Sequence, residues 1–86
     1  MSRLKKLLQR FLLKPTDFTY DEMTRLLKGF GYEEIKTGKT SGSRVAFFNK
    51  KSGHIIRLHR PHPQNALKRY QLDILEEELR AKGMLK

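Results

Sequence analysis

Cysteine and tryptophan are both absent from this 86-residue chain. Without cysteine there is no disulfide framework and no thiolate to act as nucleophile or metal ligand, which fits a cytoplasmic setting. Acidic residues are scarce: 9 Asp and Glu stand against 19 Lys and Arg, a net charge of +10. No apolar run approaches the ~20 residues that a membrane span needs. The start, Met1-Ser2-Arg3-Leu4-Lys5-Lys6, is basic but is not followed by the apolar stretch and small-residue cleavage site of a secretory signal, so it reads as mature protein. There is no internal repeat and no low-complexity segment.

What remains is a chain with 37% hydrophobic and 33% charged residues, the balance of one soluble domain with one small core. The excess of positive charge favours a polyanionic partner. Nucleic acid comes first, an anionic membrane second and an acidic protein third.

Leu4, Leu7, Leu8, Phe11 and Leu12 recur at helical spacing with Lys5, Lys6, Gln9 and Arg10 between them. This predicts an amphipathic helix that stops near Pro15. A helix so short needs packing to be stable, so docking on its own core is expected rather than residence at a membrane surface. Thr19-Tyr20-Asp21-Glu22 has the capping-box pattern, and Met23, Leu26, Leu27 and Phe30 make the apolar face of a second helix closed by Gly29 and Gly31. Strands are expected at Tyr32 to Thr37, Arg44 to Asn49 and His54 to His59, the last two joined by the turn Lys50-Lys51-Ser52-Gly53. Pro61 and Pro63 end strand pairing. A closing helix from about Asn65 to Lys82 would turn Leu67, Tyr70, Ile74, Leu75 and Leu79 inward. The order implies an α+β sandwich: a three-stranded antiparallel sheet with helices on one face, and an extra N-terminal amphipathic helix. Residues 1–18 form that helix and its linker, and residues 19–86 the main domain.

The hairpin can be registered from its pattern. If Asn49 faces His54, then Phe47 faces Ile56 and Val45 faces Leu58, and these four form the core set. The other face carries Phe48 across from Ile55, Ala46 across from Arg57, and Arg44 across from His59. A guanidinium and an imidazole then share one end of the open face.

Cleavage of RNA without metal needs a base for the ribose 2′-OH proton, a cation for the crowded phosphate and an acid for the departing 5′-oxygen. Histidine can serve as base or acid near neutral pH, and arginine grips two phosphate oxygens while staying charged. Arg44, Arg57, His59, Arg60 and His62 supply both types in one stretch. The alternative is a phosphate grip without chemistry, in an RNA-binding module or in a chain kept only for binding a partner. Spacing supports a metal site poorly, since no carboxylate sits near the histidines. The loop from Gly38 to Gly42 lacks Walker spacing, although its glycines would let backbone N–H groups approach a phosphate.

These residues bring out a resemblance. Leu26-Leu27-Lys28-Gly29-Phe30-Gly31-Tyr32, Gly42-Ser43 opening the second strand, Pro61-His62-Pro63 leaving the third, and Leu67-Lys68 at the closing helix follow one another as in the HicA family. The resemblance spans roughly Tyr20 to Leu85. It implies a fold like the double-stranded-RNA-binding domain, α-β-β-β-α, and an mRNA-cleaving endoribonuclease (an mRNA interferase) of a type II toxin–antitoxin system. It also implies mRNA and a HicB-type antitoxin as partners, and no cofactor. The family's catalytic histidine follows the Gly-Ser pair, and that position here is Arg44. The expected site therefore has His59 as lead proton-transfer residue, Arg44 as phosphate clamp and His62 as second candidate. Lys39, Ser43, Arg44, Lys50, Lys51, Arg57 and Arg60 complete the expected RNA contacts.

Overall fold

The structure, a computed structural model, describes residues 3–35, 44–61, 65–83 and 85. Three helices and three strands follow in the order α1 (Arg3–Leu12), α2 (Tyr20–Gly29), β1 (Tyr32–Ile35), β2 (Arg44–Asn49), β3 (Ile55–His59) and α3 (Arg69–Ala81). The strands form one antiparallel sheet in the order β1-β2-β3. This is the expected α+β architecture.

Helix α2 begins where the capping box places it. The Glu22 N–H donates to Thr19 Oγ1 at 3.1 Å, and the Thr19 N–H donates to Glu22 Oε1 at 2.9 Å. Two otherwise orphaned donors are satisfied by this exchange. After α2 the chain turns at Gly31, whose φ of 95° is one that side chains rarely adopt. Asn49 braces this corner: its Nδ2 donates to the Phe30 carbonyl at 3.0 Å, and its Oδ1 accepts from the N–H groups of Lys51 and Ser52.

The core lies between the sheet and the helices. Met23, Leu26 and Leu27 of α2, Tyr32, Phe47 and Ile56 of the sheet, and Leu72, Leu75 and Leu79 of α3 are buried in one cluster. Val45 and Leu58 pack against it, half-buried. Helix α1 contributes as well. Phe11 is fully buried, its ring 5.6 Å from that of Phe18, and Leu4, Leu7 and Leu8 pack on the cluster. Leu4, Leu7, Leu8 and Phe11 are thus spent inward, whereas Leu12, expected on the same face, is 40% exposed. No helix among the described residues is long and apolar enough to cross a membrane.

The β2–β3 register is the one the pattern implies, from Arg44 opposite His59 to Phe48 opposite Ile55. The closing helix departs from expectation. It starts at Arg69 rather than Asn65, because residues before it pair with the chain ahead of α2. Tyr20 N–H donates to the Asn65 carbonyl and Leu67 N–H to the Phe18 carbonyl. The buried stripe of α3 is Gln71, Leu72, Leu75 and Leu79, whereas Tyr70 and Ile74 are exposed.

Candidate functional site on the open sheet face

One face of the sheet has no helix over it, and alternation assigns its residues: Glu33 and Ile35 from β1, Arg44, Ala46 and Phe48 from β2, Ile55, Arg57 and His59 from β3. The ladder type follows from one bond. Asn49 N–H donates to the His54 carbonyl at 2.9 Å, so pairs in step with it exchange hydrogen bonds and the pairs between do not. Arg44 and His59 form one of the latter, the kind in which side chains stand closer, with Cβ atoms roughly 5 Å apart. Arg57 sits two residues from His59 on the same face and opposite the small Ala46. All three of these polar residues are exposed.

Their charge is not cancelled. Arg10 is held by Asp17 and Glu22, Lys14 by Asp73 and Glu76, Arg69 by Asp73, and Arg80 by Glu76. Among the described residues Arg44 and Arg57 have no carboxylate partner, and the His59 ring has no hydrogen-bond partner; only its main-chain carbonyl is engaged, by Gln71 Nε2 at 2.9 Å. Among the described residues, two guanidiniums without a carboxylate partner therefore flank an accessible imidazole.

Other expected residues lie elsewhere. Arg60 follows the end of β3, its guanidinium 4.7 Å over the Tyr20 ring and 3.6 Å from Glu34. Burial pushes the Tyr20 hydroxyl above its ordinary value. Lys50 and Lys51 occupy the hairpin turn, at the opposite end of β2 from Arg44, with Lys50 4.0 Å from Glu33. Lys39, Ser43 and His62 lie outside the described residues. So does the loop from Gly38 to Gly42.

His54 plays a different part from His59. Tyr32 hydroxyl and His54 Nδ1 are 2.7 Å apart, and His54 Nε2 donates to Glu78 Oε1 at 2.6 Å. The chain ties β1, the start of β3 and α3 together, and burial raises the Tyr32 hydroxyl's pKa. Its two ring nitrogens are both committed, so His54 is a structural histidine. The register contained the signal: His54 is in step with Ile56 and Leu58, whose side chains face the core.

The family comparison meets this geometry. The family model described as the HicA toxin of bacterial toxin–antitoxin systems matches residues 20–79, from the first residue of α2 nearly to the end of α3. The chain belongs to the HicA toxin family. No curated protein and no solved structure matches it. As a HicA-family toxin, it is the toxin member of a toxin–antitoxin pair. Helix α1 lies outside the matched segment. In this toxin, the basic polar face of α1 contributes to a second basic surface. Arg3, Lys6 and Arg25 line a cleft of about 420 Å³ between α1 and α2, floored by Leu4, Leu7 and Gly29. A Cβ at Gly29 would run into the Leu4 side chain, which would have to shift.

Proposed function

We propose that this HicA-family toxin binds mRNA across the open sheet face and cleaves it without metal, and that a HicB-type antitoxin covers this face. His59 takes the 2′-OH proton. The 2′-oxygen then attacks phosphorus, the bond to the 5′-oxygen breaks, and that oxygen leaves with a proton from a second acid, for which His62 is the candidate. Arg44 and Arg57 hold the non-bridging oxygens as negative charge builds on them. His62 is the second proton-transfer candidate, and Lys39, Ser43, Lys50 and Lys51 extend the RNA path, whereas Arg60, held over Tyr20 beside Glu34, does not join it on this face. Residues 19–86 carry this activity, with residues 1–18 as an added helix and linker. The single supporting observation is the exposed Arg44–His59 pair beside Arg57, three groups whose charge and hydrogen bonds are uncommitted among the described residues.

A second reading is RNA binding without cleavage. It is favoured by the same freedom of the His59 ring, because no described carboxylate or hydroxyl orients its tautomer. Growth arrest and RNA cleavage should be measured for wild type, His59→Ala, His62→Ala and Arg44→His. Cleavage that survives chelators and disappears in His59→Ala supports the first reading. An inert wild type with an active Arg44→His variant supports the second, because only restoring the family's histidine would then restore chemistry.

A further inference from the structure

Between the outer edge of β3 and α3 lies a groove of about 140 Å³. Tyr70 and Ile74, one helical turn apart, stand on its α3 side and are 57% and 49% exposed. Ile56, Leu58, Arg57 and His59 line the strand side. The ladder type established above turns the main-chain groups of Ile55, Arg57 and His59 away from β2, toward this outer edge. Gln71 reaches across and takes the His59 carbonyl at 2.9 Å, which confirms the direction. Among the described residues nothing takes the Arg57 N–H and C=O.

The groove therefore offers an aromatic wall, an aliphatic wall and a main-chain donor beside an acceptor. The side chains of Arg57 and His59 stand at its rim on the open face. A nucleotide has the complementary parts: a flat apolar base with a polar edge, attached to an anion. Bases of single-stranded RNA stack on exposed aromatic side chains and hydrogen-bond along their edges. The volume is well below the roughly 300–1,000 Å³ of sites for drug-sized ligands and suits one ring system.

We infer that this groove takes a single nucleobase of the bound RNA, stacked on Tyr70 with its edge on the Arg57 main chain, next to the phosphate at Arg57 and His59. This rests on the RNA reading above and adds to it a base subsite, with Tyr70 and Ile74 as positioning residues. An apolar side chain from a second copy of the chain is the rival occupant.

The chain has no tryptophan, so Tyr70→Trp introduces its one indole at the groove. The variant should be titrated with a short single-stranded RNA and with the same RNA made abasic, which keeps every phosphate. Quenching by the first and none by the second is expected. Tyr70→Phe should bind RNA like wild type. Tyr70→Ala should bind about fivefold or more weakly, the effect of one lost stack. Its salt dependence should be unchanged, because no phosphate contact is removed. An unaltered melting temperature separates this loss from misfolding. If wild type binds RNA but the indole emission and the Tyr70→Ala affinity do not change, the base subsite is refuted and the RNA reading stands. If wild type binds no RNA, both fall. Emission that shifts with protein concentration alone assigns the groove to a second copy and refutes the subsite.

Discussion

Replacing Phe11 with alanine tests whether α1 is part of the fold or an appendage to the matched family segment. Phe11 is fully buried, against Phe18 and beneath the Leu4, Leu7 and Leu8 contacts. An aromatic side chain buries roughly 150–250 Å². At ~25 cal/mol per Å² that is about 4–6 kcal/mol of gross stabilisation. Alanine retains a methyl group, and the site partly collapses, so the expected loss is about 3–5 kcal/mol. Domains of this size hold only ~5–15 kcal/mol in total. Each kcal/mol shifts Tm by roughly 4–8 °C, so the melting point should fall by about 12 °C or more. Urea and thermal unfolding followed by far-UV circular dichroism measure this directly. Leu13→Ala, at a residue 81% exposed one residue beyond α1, is the control and should stay within about 0.5 kcal/mol of wild type. If Phe11→Ala is as mild as Leu13→Ala, α1 does not share the core and its packing here is wrong.

Asn49→Ala should cost about 1–3 kcal/mol in urea unfolding, because it strands the Phe30 carbonyl and two turn N–H groups beside a buried position. Hydrogen bonds from Arg10 hold the Glu22 carboxyl below its ordinary value of 4.5. A depressed folded-state pKa gives stability that is complete above the unfolded value and lost as pH falls through the folded one. Acid melting should therefore steepen below about pH 5, and Arg10→Met should flatten that drop. RNA affinity should fall with salt, with a log–log slope that shrinks by about 0.7 for each of Arg44→Gln and Arg57→Gln. Slopes equal to wild type would remove both arginines from the phosphate path.

The hairpin was legible in the sequence because a one-residue slip would have mixed Val45, Phe47, Ile56 and Leu58 with Arg44, Arg57 and His59. The capping box was equally legible, since Thr19 and Glu22 satisfy each other locally. The phase of α3 was legible only in part: Leu75 and Leu79 are buried as expected, Tyr70 and Ile74 are not. Tyr70 and Ile74 look like better core residues than Gln71 by side-chain type. Yet Gln71 is buried because its partner is the His59 carbonyl, a main-chain group twelve residues away that no apolar pattern reveals. The same long-range pairing shortens the helix, since Asn65 and Leu67 spend their backbone groups on Tyr20 and Phe18. Register parity did contain the separation of His54 and Arg60 from Arg57 and His59. Reading the histidines and arginines as one patch passed over it.

The distribution of acidic residues explains why the open face keeps its charge. No Asp or Glu occurs between Glu34 and Asp73. The flanking acids take three cations of this interval: Glu33 approaches Lys50, Glu34 approaches Arg60, and Asp73 takes Arg69. Asp17, Glu22 and Glu76 pair with cations of α1, α3 and the segment after α1. Among the described residues the ion pairs thus gather on the helical layer and the sheet margins, leaving Arg44 and Arg57, both within the acid-free interval, uncompensated. A carboxylate among them would weaken the attraction for phosphate on which the proposed RNA binding rests. The cost is mutual repulsion within a domain of net charge +10, which salt screens at exposed positions. That cost falls on the same small core that Phe11 helps to build. A helix outside the matched family segment therefore stabilises the fold on which the open, uncompensated sheet face depends.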